Sequence, residues 1–271
     1  MTQQELRQIS LETLSVIASP QYVVNGRTYN MRDMVMNMVD NTRLYKATDF
    51  IPVVHGMPWS SSYHLVNMTT TGSILHFQQF LNQKIGVLNF ASAVKAGGGW
   101  LNGKVAQEED IMRKTTAFLS LLLQDEFYTS HNVADPIYSD AIIYSPKVLI
   151  IRDEDYNFIE PEAIDLFTCA AVNATECRNN MIKCDFKKRM YDRIDKVIRA
   201  MAVNNEETIV LGAFGCGVFG NNPTDIADIF HEILVEEQME DEFKNIIFAV
   251  YDNSPTQQNF NAFQNVFYDR L

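Results

Sequence analysis

Two short segments of the chain carry residue types that could perform chemistry. Residues 96–110 (AGGGWLNGKVAQEED) place three consecutive glycines shortly before two adjacent glutamates, Glu108 and Glu109. Each glycine costs roughly 0.5–1 kcal/mol of extra chain entropy, so the run indicates a backbone that must bend or approach another group closely. Neighbouring helical residues point about 100° apart, so the two carboxylates would take different roles, one at a reacting bond and one at a nearby hydroxyl. The alternative interpretation of the pair is compensation of a helix dipole.

The second segment is 212–223 (GAFGCGVFGNNP). Like the first, it follows an apolar run and precedes a predicted helix, an arrangement in which backbone N–H groups and a helix N-terminus can bind an anion. A single loop of this kind usually makes only a tight turn, but two of them favour a ligand that carries phosphate. Anion binding together with carboxylates suggests hydrolysis at a sugar attached to a phosphate.

Two familiar nucleotide motifs match these loops only in part. Residues 98–104 fit the first part of a P-loop, but Val105 stands where Ser or Thr must hold Mg²⁺, which argues against nucleoside-triphosphate hydrolysis. Residues 215–220 fit G-x-G-x-x-G, yet they lie near the C-terminus, and Asp252 follows well beyond the usual spacing of about 20 residues. A dinucleotide site therefore remains a minor alternative.

The composition limits the class of protein. The 271 residues are 46% hydrophobic and carry a net charge of −12, which suits one large domain and disfavours sequence-specific nucleic-acid binding. No apolar run is long enough to span a membrane, and the first residues lack the pattern of a signal peptide. The four cysteines show no zinc-site spacing. We expect a monomeric cytoplasmic protein without metal or cofactor, with the nucleus as an alternative location.

One basic segment departs from the acidic average. Residues 183–199 hold seven Lys or Arg against three Asp. A solvated helix face is the favoured interpretation, and a docking surface for a polyanion is the alternative.

Alternating apolar strands and amphipathic helices predict an α/β layered fold, with ligands at the carboxyl ends of the strands. The predicted strands are 84–91, 147–152, 208–214 and 246–251, and the predicted helices are 1–18, 31–45, 107–123, 187–202 and 223–238. Apart from the helix 31–45, residues 20–60 are expected to be irregular.

At this point the motifs resemble a known family. The run VLNFASAVKAGGGWLNGKVAQEE (87–109) is similar to the signature of microbial-type poly(ADP-ribose) glycohydrolases, and LGAFGCGVFGNNP (211–223) resembles their diphosphate-binding loop; 137–155 and 246–254 are also similar. The resemblance implies a macrodomain-like α/β/α sandwich with a mixed central sheet and an N-terminal helical extension. It divides the chain into an accessory segment, 1–60, and a catalytic core, 61–271.

The resemblance also implies the reaction, which is hydrolysis of the ribose–ribose O-glycosidic bond of poly(ADP-ribose) to release ADP-ribose, without a metal. Poly(ADP-ribose) or ADP-ribosylated proteins would be the substrate. Glu109 would be the catalytic acid, and Glu108 would hold hydroxyls of the reacting ribose. The diphosphate would lie against 215–218, with Phe219 stacked on a sugar. The residues implied to contact substrate are Asn89, Ser92, Gly97, Gly98, Gly99, Gln107, Gly215, Cys216, Gly217, Val218, Phe219 and Gly220.

Some alternatives stay open. A macrodomain that only binds ADP-ribose would have no need of both glutamates, whereas a hydrolase of single ADP-ribose units on proteins is hard to distinguish from the sequence. Ala96 and Trp100 replace a Pro and a Phe that are frequent in the family. The N-terminal segment would close the adenosine end of the site, or merely cover an apolar face, or do both. Its predicted helix carries one such face, formed by Leu6, Ile9, Val16 and Ile17.

Overall fold

The computed structural model describes residues 1–53, 58–77, 80, 82–131 and 135–271. Its strands are β1 (Tyr22–Val24), β2 (Arg27–Tyr29), β3 (Arg43–Tyr45), β4 (Ser62–Val66), β5 (Ile85–Phe90), β6 (Ile142–Arg152), β7 (Phe158–Cys169), β8 (Thr208–Leu211) and β9 (Asn245–Ala249). Its α-helices are α1 (Gln3–Ile17), α2 (Met31–Asn41), α3 (Thr70–His76), α4 (Gln107–Lys114), α5 (Phe118–Leu122), α6 (Asp125–Ser130), α7 (Ala174–Asn179), α8 (Phe186–Val203), α9 (Pro223–His231) and α10 (Gln258–Val266).

A seven-stranded mixed sheet forms the centre, in the order β3-β6-β7-β5-β8-β9-β4. Strands β7, β5, β8, β9 and β4 run parallel, whereas β6 pairs antiparallel with β7 and β3 antiparallel with β6. One face packs a hydrophobic core against α8, α9 and α10, and the other packs a second core against α1, α2, α4 and α5. Strands β5 and β8 are buried on both faces, as near-continuous apolar runs require. The predicted α/β/α sandwich with a mixed sheet is confirmed.

Several predicted elements need correction. The helix expected over 107–123 is wrong, because the chain leaves α4 at Lys114 and Thr115 takes an extended conformation that bridges to Ile150. The helix expected over 31–45 ends at Asn41, and the residues after it form strand β3 at the edge of the sheet. The helix over 223–238 changes from α to a π turn after His231. Residues 20–60 are not irregular throughout, since they contain the β1–β2 hairpin and β3.

The N-terminal segment contacts the core more closely than an accessory segment would. Strand β3 pairs with β6 and so belongs to the central sheet. On α1 the buried side chains are Leu6, Ser10, Thr13 and Ile17, whereas Ile9 and Val16 are only half-buried, so the predicted apolar face is partly wrong. The division of the chain at residue 60 stays a prediction.

The basic segment forms helix α8, and part of its charge is used internally. Arg193 is buried and donates to Asp140 and to the Ala170 carbonyl. Lys196 donates to the carbonyl of Ala47. These two side chains therefore belong to neither a solvated face nor a docking surface. The first part of the segment fits the favoured solvated face, since its basic residues are exposed: Lys183, Lys187, Lys188 and Arg189. Within the described part of the chain, no helix is long and apolar enough to cross a membrane.

A cluster of ionisable side chains lies at the amino ends of β5 and β8. The ammonium of Lys84 is 3.1 Å from both Asp165 Oδ2 and Glu206 Oε1. The Glu206 side chain is inaccessible to solvent, and burial, with a further contribution from the Asp165 charge, raises the pKa of Glu206 to about 9. This end of the sheet is opposite to the end from which the glycine loops leave.

Candidate active site

The two glycine loops leave neighbouring strands at the same edge of the sheet. Strands β5 and β8 pair in parallel, so the loop after β5 and the loop after β8 both begin at their carboxyl ends. The rings of Phe90 and Phe214, one at the base of each loop, lie 5.4 Å apart. In open α/β sheets this edge is where ligands bind, as the sequence predicted.

The triple glycine allows the backbone to meet the glutamates. Gly97 and Gly98 have φ values of +67° and +57°, a region that favours glycine. The Gly99 N–H donates to Glu109 Oε1 over 2.9 Å. A Cβ on Gly98 would come within 2.6 Å of Glu109 Oε1 and 3.0 Å of Glu108 Oε2. The bare backbone is therefore needed to make room for the two carboxylates.

Glu108 is buried, whereas Glu109 is partly exposed. Only 3% of Glu108 is accessible, and its Oε2 accepts the Ser92 N–H over 2.7 Å. Burial raises the pKa of Glu108 to about 8; the Ser92 N–H opposes this shift and the neighbouring Glu109 charge adds to it. Burial therefore favours the protonated form of Glu108 more than for an ordinary carboxyl, whereas the side chain of Glu109 is partly accessible to solvent.

Asn89 and Gln107 occupy different positions relative to the pair. Asn89 is fully buried on β5 beside the Glu108 carboxyl, and its Nδ2 donates to Thr168 Oγ1 over 3.2 Å. The Gln107 amide is bound to strand β5: its Oε1 accepts the Phe90 N–H, and its Nε2 donates to the Leu88 carbonyl, both over 2.8 Å. Gln107 thus fixes the start of α4 to the sheet, and we infer a positioning role for it.

Several buried polar atoms have no hydrogen-bond partner within the described residues, and three of these belong to Glu108 or to residues that interact with its carboxyl. These three are Asn89 Oδ1, Glu108 Oε1 and the Tyr128 hydroxyl. Buried polar groups in native proteins are nearly always hydrogen-bonded, so these atoms are suited to the hydroxyls of a sugar. Tyr128, on α6, was missed from the sequence, where no motif marks it. Burial, with a contribution from the Glu108 charge, raises the pKa of the Tyr128 hydroxyl.

The second loop presents backbone donors. The N–H groups of Gly217, Val218 and Phe219 donate to no acceptor in the part of the protein that the structure describes. Helix α7 binds carbonyls of the same loop: the Gly220 carbonyl accepts from Arg178, and the Phe219 carbonyl accepts from the Thr175 N–H. Nothing lies within 4 Å of a Cβ built on Gly217. Successive free N–H groups of this kind form an anion-binding concavity.

The other residues of this loop turn the chain, are chemically inert, or lie at its surface. Gly215 and Gly220 have φ values of +76° and +66° and turn the chain at the two ends of the loop. Burial raises the pKa of the Cys216 thiol to about 12, which makes it inert at neutral pH. Val218 is 84% exposed, and the half-buried Phe219 ring lies 6.1 Å from that of Tyr138.

Two expectations about anion binding need correction. The N-terminus of α9 is not free, because Asn222 Oδ1 accepts the N–H groups of Thr224 and Asp225. The N–H of Gly99 is likewise engaged by Glu109 rather than available to a phosphate. The loop around 217–219 therefore offers free donors to an anion, whereas the N–H groups of Ser92 and Gly99 in the first loop serve the glutamates. Among the described residues, no three His, Cys, Asp or Glu side chains are grouped as metal ligands.

Comparison with known proteins agrees with this geometry. A family model described as microbial-type PARG, catalytic domain, matches residues 10–153. The poly(ADP-ribose) glycohydrolase of Thermomonospora curvata bound to the inhibitor ADP-HPD is 31% identical, with a TM-score of 0.89 over 97% of this chain and 99% of that chain. The enzyme of Deinococcus radiodurans in complex with ADP-ribose is 28% identical, with a TM-score of 0.81 over 88% of this chain and 98% of that one. A comparison with curated protein sequences gave no match.

The family model spans more than half of the chain, and the Thermomonospora structure aligns with nearly all of it. The resemblance inferred from GGG, QEE and GCGVF is thereby confirmed. The chain belongs to the microbial-type poly(ADP-ribose) glycohydrolase catalytic domain family.

Proposed function

We propose that this protein hydrolyses the ribose–ribose O-glycosidic bonds of poly(ADP-ribose) and releases ADP-ribose. The observation that carries the proposal is the pair of glutamates fixed by backbone hydrogen bonds. The Gly99 N–H donates to Glu109 Oε1 over 2.9 Å, and the Ser92 N–H donates to Oε2 of the buried Glu108 over 2.7 Å. The free backbone donors of 217–219, at the same edge of the sheet, provide a place for the diphosphate. The ligands named for the similar solved structures, ADP-HPD and ADP-ribose, fit such a site.

In this proposal the two carboxyls divide the work. Glu109 acts in its protonated form: it gives its proton to the departing 2′-oxygen, the glycosidic bond breaks, and an oxocarbenium-like ribosyl and an ionised Glu109 result. The ionised Glu109 then takes a proton from water, which attacks the anomeric carbon. Glu108 hydrogen-bonds a ribose hydroxyl through its unpaired Oε1, while the Ser92 N–H holds its Oε2. The second carboxyl therefore binds the sugar rather than attacking it.

The direct test is incubation of the protein with defined poly(ADP-ribose) and, separately, with mono-ADP-ribosylated protein, followed by product identification. We expect ADP-ribose from the polymer. The Glu109→Gln variant should lose hydrolysis and keep ADP-ribose affinity, because the amide still accepts from Gly99 but cannot deliver the proton. Near-normal turnover by this variant would show that Glu109 is not the catalytic acid.

The same assay separates the alternatives. Binding of ADP-ribose without any cleavage would identify a binding macrodomain, and release from mono-modified protein alone would identify a hydrolase of single units. The monomeric state and the cytoplasmic location expected from the sequence stay predictions.

A further inference from the structure

Helix α1 carries two polar side chains where an amphipathic helix normally has apolar ones. Ser10 and Thr13 are both fully buried, between the buried Leu6 and Ile17. A buried hydroxyl is costly unless it is hydrogen-bonded. The hydrogen-bond partners of these two hydroxyls therefore indicate the role of Ser10 and Thr13.

Ser10 is bound to the loop that carries the triple glycine. Its Oγ lies 2.8 Å from the Trp100 carbonyl and 2.9 Å from the Leu6 carbonyl of its own helix. Trp100 follows Gly99 directly and is itself buried. Two turns earlier on α1, Gln3 Nε2 donates to the Asn102 carbonyl over 2.8 Å. The helix thus holds the carbonyl side of the same loop whose Gly99 N–H holds Glu109.

Thr13 is bound to the helix that carries the glutamates. Its Oγ1 donates to the Arg113 carbonyl over 2.7 Å and accepts from Arg152 Nε over 3.0 Å. Arg113 lies in the last turn of α4, where carbonyls have no partner within the helix. The Arg113 guanidinium in turn donates to the Lys104 carbonyl over 2.9 Å, at the end of the glycine loop.

We propose that α1 is a splint for the catalytic segment, in which Ser10 fixes the glycine loop and Thr13 fixes helix α4. The two contacts lie one residue from Gly99 and one helical turn from Glu109, so together they set the position of the Gly99 N–H relative to the Glu109 carboxylate. Displacing a catalytic group by about 1 Å can cost roughly 10²-fold in rate. Ser10 and Thr13 are therefore positioning residues for the reaction, an inference that rests on the proposed function.

The test compares variants that remove each hydroxyl with matched controls. Ser10→Ala and Thr13→Val remove a hydroxyl with little change of volume, Thr13→Ser keeps the hydroxyl, and Ser15→Ala changes an exposed serine on the same helix. In folded protein we expect Ser10→Ala and Thr13→Val to lower kcat by roughly tenfold, with KM and ADP-ribose affinity unchanged. Thr13→Ser should restore most of the kcat, and Ser15→Ala should behave as wild type.

Amide hydrogen exchange at Gly99 provides a readout that does not depend on activity. Exchange should become faster in Ser10→Ala and in Thr13→Val, and stay slow in Ser15→Ala. Wild-type kcat and unchanged Gly99 exchange in both hydroxyl-free variants would overturn the splint, as would an equal loss of kcat in Thr13→Ser and Thr13→Val. A wild-type protein that releases no ADP-ribose would instead overturn the proposed function, and Gly99 exchange would still decide the splint.

Discussion

Replacement of Gly98 by alanine should separate backbone strain from displacement of the catalytic carboxylate. Gly98 has a φ of +57°, so the substitution costs roughly 1–2 kcal/mol in the free energy of unfolding. The new Cβ would also lie 2.6 Å from Glu109 Oε1, and an ordinary contact needs 3.4 Å, so the carboxylate must move by about 0.8 Å. A shift of that size breaks the alignment of Glu109 with Gly99.

The hairpin glycine Gly26 offers a matched control. Its φ is +75°, yet nothing lies within 4 Å of a Cβ built there. Gly26→Ala therefore carries the same backbone strain without moving any catalytic group. Both variants should melt a few degrees lower, at roughly 2–4 °C per kcal/mol for a domain of this size.

The assay is the rate of ADP-ribose release from poly(ADP-ribose), measured well below both melting temperatures. We expect Gly98→Ala to lose roughly 10²-fold in kcat, and Gly26→Ala to retain wild-type kcat. Wild-type kcat in Gly98→Ala would refute the idea that the glycine makes room for the carboxylate. An equal loss in Gly26→Ala would show that strain alone lowers the rate.

Four further outcomes are expected. Gly217→Glu should abolish ADP-ribose binding in calorimetry while leaving the melting temperature unchanged, because its Cβ meets nothing within 4 Å but its charge faces the anion site; unchanged affinity would give this loop another role. The folded-state pKa of Glu206 is raised to about 9 from 4.5, so the folded state binds more protons between these values and stability should fall as pH rises through this window. Glu206→Gln should flatten that slope in denaturant titrations at several pH values, and an unaltered slope would assign it to other groups. Activity should survive excess chelator, since no metal-ligand cluster occurs among the described residues; loss that Mg²⁺ restores would contradict this. If the N-terminal segment closes the adenosine end of the site, sizing early products should show ADP-ribose monomer while long chains persist, and abundant medium-length fragments would show internal cleavage.

The sequence alone determined those parts of the protein that depend on local pattern. Strands β5, β8 and β9 are apolar runs that any buried parallel strand requires, and they were found within a few residues of their ends. The glycines, the glutamate pair and the second loop were found because their types and order are unusual. Strand β7 was missed because its first half contains Glu160, Pro161 and Glu162, which interrupt the apolar pattern on the exposed end of a hairpin.

The tertiary structure decided what these residues bind. From sequence, both glycine loops looked suited to phosphate, but the N–H of Gly99 is bound to Glu109, a choice that depends on how α4 packs beside the loop. The contact of Ser10 with Trp100 joins residues 90 positions apart. No periodicity along the chain could indicate this contact, because a polar residue in a helix is ordinarily predicted to face solvent. Such partners are set by the three-dimensional packing of α1 on the glycine loop, where a buried hydroxyl is stable only if it is hydrogen-bonded.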